Sequence, residues 1–466
     1  MTFRNPARII LTMAMLAPLA AGCGRPTAPE SWPPIIDPLV FGDTFGSKVI
    51  WQAFGGSKLD AIAIDSTTSY TGAASIKVTV PGPGDPSGTY AGGAFTTARY
   101  RDLTQYNALS FWVKASRAVT LDAAGLGNDN TGTSRYTAQR ASIPMTTAWT
   151  QVLVPIPNAA RLTAEGGLFF FAEGPQGGQG LTMWIDNVQF VKTATITNPR
   201  PALTSQTINT VVGTSASLSG ATKTVFAVNG LDQTVTHMPG YFDFTSTNPA
   251  VAAISNGVLR VLGSGSTTLT ATLGSIPATG SITVSATPPP ATPAPNPTVP
   301  GSDVISLFSG AYTNVPVDTW NATWSQPYAT VSDASIAGNP VKLYTNLVYA
   351  GIECTTHPID ATAMTAFHMD VFVPTGVQIK VKLVDFGTNG VYGPTGTGND
   401  DSQSELTFTT TSEPIGITLG AWVPLDIPLS NFTGLTHRAH IGQIILSGDV
   451  ASGTRTVYVD NVYFHK

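Results

Sequence analysis

The chain has 466 residues, and only 11% of them are Asp, Glu, Lys or Arg, where a soluble domain carries roughly a quarter. Forty-six glycines and 35 prolines stand beside 42% hydrophobic residues, enough apolar side chains to bury large cores, which excludes a charge-solvated disordered chain. The net charge of −5 gives no basic footprint for a phosphate backbone, so nucleic acid is not an expected partner.

Residues 1–22 place Arg4 and Arg8 ahead of an apolar run from Ile9 to Ala21. That run is too short for a permanent bilayer-spanning helix and reads as a secretory signal. Its removal would leave 21 basic residues against 28 acidic. The segment ends Leu19-Ala20-Ala21-Gly22-Cys23, which resembles a bacterial lipobox, although Ala20 stands where Leu is usual. The resemblance implies lipid attachment at Cys23 and a protein held at a membrane surface by acyl chains. Gly24 after the Cys implies sorting to the outer membrane or cell surface. Ordinary cleavage of a soluble secreted protein is the alternative. Residues 23–38, with Gly-Arg-Pro-Thr-Ala-Pro and Trp-Pro-Pro, form an extended tether. The other cysteine, Cys354, lies in a strand-like stretch and is expected to be a small buried hydrophobe, so no disulfide is available to an acylated Cys23.

Beyond the tether the chain is a series of short runs with period two, broken by Gly, Asn, Asp and Pro. Ser75-Ile76-Lys77-Val78-Thr79-Val80 and Val377-Gln378-Ile379-Lys380-Val381-Lys382-Leu383 alternate, so one sheet face is buried and the other wet. Asn229-Gly230, Asn256-Gly257 and Asn389-Gly390 mark turns. The expected class is all-β, with three β-sandwich domains over 39–193, 198–286 and 302–466. Residues 287–300 hold seven prolines in fourteen positions; they are expected to form a polyproline II rod separating the last two domains by about 40 Å.

Comparing the chain with itself reveals a repeat. Tyr90-Ala91-Gly92-Gly93-Ala94-Phe95-Thr96-Thr97 echoes Tyr349-Ala350-Gly351-Ile352-Glu353-Cys354-Thr355-Thr356. Asn107 to Val113 echoes Thr365 to Val373 with a two-residue slip. Ala148-Trp149 leading to Ile156-Pro157 echoes Ala421-Trp422 leading to Ile427-Pro428. Trp184-Ile185-Asp186-Asn187-Val188-Gln189-Phe190 echoes Tyr458-Val459-Asp460-Asn461-Val462-Tyr463-Phe464. The four anchors are collinear, so the first and last domains read as two copies of one sandwich, the second enlarged by 387–404.

Both copies resemble the jelly-roll carbohydrate-binding modules appended to secreted polysaccharidases, which commonly close on such an Asp-Asn strand. Ile305 to Ser309, Tyr312 to Trp320, Ile427 to Ser430 and Val457 to His465 resemble modules found behind laminarinase-type β-glucanases and in bacterial glycan-binding lipoproteins. Thr245 to Ala252, Asn256 to Leu259 and Gly263 to Ala271 resemble the bacterial immunoglobulin-like group-two domain, a spacer without chemistry of its own. The resemblances imply a non-catalytic, lipid-anchored protein that holds a polysaccharide, of β-glucan type, near secreted glycoside hydrolases. An adhesive or structural surface protein is the rival, and an unrecognised hydrolase or lyase using loop carboxylates with Arg135 or Arg140 is a second.

A retaining glycosidase needs two carboxylates about 5 Å apart, and the Glu-x-Asp-x-x-Glu strand of laminarinase-type enzymes is absent. His437 and His440 lack further ligands for zinc. Modules of the resembled shape often hold structural calcium, which assigns oxygen ligands to Asp43, Asp186 and Asp460; the alternative is that Asp-Asn only satisfies backbone donors in a turn. Asp385, Asn399, Asp400, Asp401 and Glu405 form a second oxygen-rich group, or a solvated loop. Sugars show apolar C–H faces ringed by hydroxyls, so their sites pair a flat aromatic with fixed polar groups. Trp320 and Trp324, four apart, would share one face of a strand and are the sugar-binding expectation, unless they cover a thin edge. Trp51 is the corresponding expectation in the first domain. Trp112, Trp149, Trp184 and Trp422 are expected in cores.

Overall fold

The computed structural model describes residues 33–218, 220–255, 257–325, 329–393, 400–449 and 455–466. The leader, Cys23, most of the tether and Asn399 lie outside them. Among the described residues the chain is all-β: strands joined by turns, with helical structure confined to three-residue 3-10 segments. No helix in the described part is long and apolar enough to cross a membrane. Two compact units result, one of residues 33–134, 142–153 and 159–192, the other of residues 135–141, 154–158 and 193–466.

The first unit is a sandwich. One sheet runs in the order Ile62–Asp65, Ser75–Val80, Leu181–Val191, Ala108–Ala115 and Thr150–Pro155, with Leu39–Phe41 also paired to Leu181–Val191. The facing strands are Val119–Leu126, Glu165–Glu173, Ala91–Arg101 and Val49–Ala53. Alternation decides what faces inward. Leu109, Phe111 and Val113 point into the core from one sheet, and Phe95, Phe169 and Phe171 from the other; all are fully buried. The Phe111 and Phe169 rings meet at 5.1 Å across the gap.

In the second unit, the C-terminal sandwich repeats this strand order without a counterpart of Val49–Ala53. Its first sheet runs Thr330–Ile336, Asn339–Thr345, Val457–His465, Ala366–Phe372, Trp422–Pro428, with Val304–Phe308 paired to Val457–His465. Its second runs Tyr349–Glu353, Ile441–Ser447, Gln378–Asp385, Ser402–Thr409. Each repeat anchor falls on the matching strand of both copies. The register places Ala108 opposite Val191 and Ala366 opposite His465, which resolves the slip in the second anchor and aligns Trp112 with Asp370.

The closing strands also share an irregularity. Asn187 and Asn461 both take φ of +48° where the pairing register shifts. Asn tolerates this left-handed conformation better than other side chains, which gives the Asp-Asn pair a backbone reason.

The 198–286 segment carries its own core, with Leu218, Val251, Leu259, Leu269, Ile282 and Val284 buried between short sheets. It does not stand off from the C-terminal sandwich as a separate body. Val211 packs with Val341, Phe372 and Tyr458, and the Pro-rich stretch is docked rather than free. Trp422 Nε1 donates to the Thr292 carbonyl (2.8 Å), Asn461 Nδ2 to that of Pro295 (3.1 Å) and the Tyr312 hydroxyl to that of Val299 (2.7 Å). Prolines lack N–H groups but keep carbonyl acceptors, so side-chain donors of the sandwich hold the segment down. The expected rod is therefore a strap. Trp422, expected in a core, is half-buried beneath it.

Candidate functional site

The second sheet of the C-terminal sandwich has two chemically distinct faces. Ala350, Ile352, Ile379, Val381, Leu383, Ile444 and Leu446 point into the core. The opposite parity gives the outer face. Tyr349, Gly351 and Glu353 stand opposite Ser447, Ile445 and Gln443. These continue across to Lys380, Lys382 and Val384, and then to Thr407, Glu405 and Gln403.

Trp324 lies on this face. Its indole rests so close over Gly351 that a Cβ there would sit 2.2 Å from the ring, so only glycine admits it. Its Nε1 donates to Glu353 Oε1 (2.6 Å), and the Tyr349 ring stacks beside it, 6.2 Å away at 28°. Gln443 Nε2 reaches the same Glu353 oxygen (3.4 Å). Two strands further on, Lys380 and Lys382 flank Glu405 at 3.0 and 3.8 Å. Trp324 remains 38% exposed. A flat ring clamped at its N–H end and bordered by carboxylate, amide and ammonium groups can hold a ligand with an apolar face and a hydroxyl rim.

Trp320 does not share this surface. It packs against the core and Phe308 (5.5 Å, edge-on), with Lys342 Nζ 5.1 Å from its ring. The expected strand through both tryptophans is not formed. Thr319 Oγ1 accepts from Asn321 N, and Ala322 O accepts from Ser325 N, two tight turns that break the period of two. Between them the segment bonds irregularly to the sheet edge, through Asp318 N to Glu353 O and Ala322 N to Gly351 O. One indole turns in and the other out.

Trp51 also turns inward. It stacks on Phe171 (5.4 Å, 21°) and lies 4.9 Å from Phe95, on the core side of its sheet. The outer-face rings of the first unit are others. Trp112, Trp149 and Trp184, expected in the core, lie on the outer face of the sheet that contains the closing strand. Tyr70 stacks on Trp112 at 3.6 Å and 13°. Lys114 Nζ sits over Trp149 (5.9 Å) and Trp184 (5.4 Å). Trp184 Nε1 donates to Asp65 Oδ2 (2.8 Å); hydrogen bonds from Thr67 and then Trp184 hold the Asp65 carboxyl down at about 2.

The carboxylates expected to bind calcium have other partners. Asp43 Oδ1 accepts Ala73 N and Ala74 N (2.5 and 3.0 Å), and Asp186 accepts Tyr70 N, Thr71 N and Asn187 N. These bonds make the pair a clamp on the 70–74 turn. Asp460 is buried beside Asp370, accepting Asn461 N and Asn339 Nδ2 (2.8 and 2.6 Å). Burial, and then the Asp370 charge, push its carboxyl above the usual range. At the mouth of the inserted loop, Asp385, the last residue of its strand, accepts Gly387 N and His440 N, and within the loop Asp400 accepts Thr388 N, again as turn organisers. Cys354 is buried, and burial pushes its thiol up to about 12.

The sequence expectation missed Tyr349, Glu353, Gln443, Lys380 and Lys382, placed Glu405 in an oxygen-rich loop group rather than beside these lysines, and misplaced Trp112, Trp149 and Trp184. Strand parity carried the signal. Trp112 shares parity with Ser110 and Lys114, and Trp184 with Thr182 and Asp186, while their neighbours Phe111, Val113, Met183 and Ile185 fill the core.

No curated protein matches the chain. Among solved structures, it is similar to a family 30 carbohydrate-binding module of a cellulosomal cellulase of Clostridium thermocellum, with 16% identity over 34% of this chain and 95% of that one and a TM-score of 0.23. It is similar to a family 11 carbohydrate-binding module from Clostridium thermocellum in complex with a β-1,3-1,4-mixed-linked tetrasaccharide, with 16% identity over 35% and 95% and a TM-score of 0.24. A β-1,2-glucanase from Parabacteroides distasonis shares 14% identity over 55% of this chain and 39% of that one, with a TM-score of 0.23. Residues 39–192 match the sequence model of the family described as Carbohydrate binding domain 30.

Proposed function

We propose that this protein is a non-catalytic polysaccharide-binding protein whose C-terminal sandwich grips a β-glucan-type chain on the outer sheet face around Trp324. The observation that carries this reading is the indole laid flat over Gly351 and fixed by Glu353 beside Tyr349 and Gln443. The ring takes the C–H face of a pyranose, and Glu353, Gln443 and Lys380 meet its hydroxyls. The family match over residues 39–192 supports carbohydrate binding by the first sandwich, where Tyr70, Trp112, Trp149 and Trp184 offer the contact surface. Single sites of this type bind in the millimolar to micromolar range, about −4 to −8 kcal/mol, and a glycan spanning both would gain avidity. Glu353 and Glu405 are tied to Trp324 and to the lysines, an arrangement for accepting hydroxyl hydrogen bonds rather than for acid and base work. Lipidation at Cys23 would fix the protein to the outer membrane or cell surface and present substrate to secreted glycoside hydrolases. Affinity electrophoresis of the full chain through gels containing mixed-linkage β-glucan, laminarin, xylan or no polysaccharide tests the reading. Retardation in a β-glucan gel with no release of reducing sugar is expected; unchanged mobility in every gel, or hydrolysis, would overturn it.

A further inference from the structure

The other sheet of the C-terminal sandwich carries a second cluster, on the far side of the core from Trp324. His368, Asp426 and His465 stand on three adjacent strands, Ala366–Phe372, Trp422–Pro428 and Val457–His465, with His368 directly opposite both Asp426 and Tyr463. Phe367, Met369, Leu425, Ile427 and Phe464 of the same strands fill the core, so the three polar side chains project outward. His368 Nδ1 lies 3.3 Å and His465 Nε2 lies 2.8 Å from the same Asp426 oxygen. One ligand atom from each residue falls within 4.8 Å of the other two. Both rings are held in place: His368 stacks on Tyr463 at 4.4 Å and 10°, and His465 Nδ1 sits 2.9 Å from the Lys466 carbonyl.

The hydrogen-bond partners also orient the two rings. A carbonyl only accepts, so His465 Nδ1 must carry the hydrogen, and in the neutral ring Nε2 then aims a lone pair at the Asp426 carboxylate. His368 has a carboxylate oxygen at each ring nitrogen, Asp426 at 3.3 Å and Asp370 at 3.5 Å, so its neutral ring also turns one lone pair toward an anion. A cation placed between the three groups would be held by lone pairs that the rings already direct at the carboxylate.

We infer that His368, Asp426 and His465 form an outward-facing site for a borderline divalent cation such as Zn2+, with three protein ligands and a fourth position open to solvent. Two imidazoles and one carboxylate are the donor set that suits this class of ion, and tetrahedral coordination with an open position is a usual geometry for three ligands. The ligands sit on paired strands rather than on loops, so little ordering is required on binding. A bound ion would tie the closing strand to its two neighbours.

The test uses the full chain, stripped with EDTA and titrated separately with Zn2+ and Co2+. Expected results are saturation at one equivalent, a visible Co2+ d–d spectrum of tetrahedral intensity, and a rise in Tm with free Zn2+. Asp426→Asn and His465→Ala should each weaken binding by more than about 10-fold. Asp426→Asn changes an exposed side chain and should keep both the Tm of the stripped protein and β-glucan retention, which separates this site from the surface around Trp324. His437→Ala, altering a histidine that lies 3.3 Å from the Asp400 carboxylate, should change nothing. No saturable binding, or one-equivalent binding unaltered in Asp426→Asn and His465→Ala, would overturn the assignment. So would a cluster that answers only to protons, with Tm changing between pH 5 and 8 but not with Zn2+.

Discussion

Trp320 and Trp324, four residues apart, have opposite fates, and each predicts a different mutant. Trp320→Ala removes a ring packed against Phe308 and the core and should cost about 2–4 kcal/mol by urea denaturation. Trp324→Ala removes a half-exposed ring and should cost less than about 1 kcal/mol. Glu173 offers a test by pH. Its carboxyl is buried between Asp122 N and Gln176 Nε2, and burial is the main reason it is pushed up to about 7. A raised folded pKa means that its contribution to stability is complete below the ordinary carboxyl range and is lost as pH rises through 7. Glu173→Gln should therefore unfold at a higher temperature than the parent at pH 8 and show a flatter Tm profile between pH 5 and 8. An unchanged profile would contradict this.

At the scale of the element, the two closing strands owe their irregularity to Asn187 and Asn461 at φ +48°. Asn187→Gly should change stability by less than about 1 kcal/mol. Asn187→Val, which forces a β-branched residue into the left-handed region, should cost about 2 kcal/mol or more; equal costs in denaturation would contradict the backbone explanation. Strands such as Ser75–Val80 and Gln378–Asp385 were legible because alternation is local and strong. The duplication was legible because its anchors coincide with strands that pair in the same order twice. The course of 318–325 was not legible, since it depends on where Thr319, Asn321 and Ser325 find partners, and those partners are set by the neighbouring strand edge. The wet face itself was encoded in parity: Tyr349, Gly351 and Glu353 alternate with Ala350 and Ile352. Which wet face would carry a ring could not be read, because Trp324 arrives from outside the sheet. Nor could the cluster of His368, Asp426 and His465, whose members are 39 to 97 positions apart and meet only through pairing of three strands.

For the molecule as a whole, low charge and abundant Gly and Pro do not mean loose linkers. The stretch from 287 to 300 is held by Trp422, Asn461 and Tyr312, and Ala294 within it is buried. Limited proteolysis of the native chain should leave this segment uncut, and Trp422→Phe, which removes the donor to Thr292, should expose it first; ready cleavage of the parent within 287–300 would contradict a docked strap. The central claim is that a flat indole on a wet sheet face binds sugar. It is tested most directly by isothermal titration of the full chain with a mixed-linkage β-glucan oligosaccharide, alongside Trp324→Ala, which deletes the ring, and Gly351→Ala, which lifts it. Measurable binding by the parent, weakened at least 10-fold by both substitutions in folded proteins, is the expected result. Equal affinity in all three proteins would contradict it.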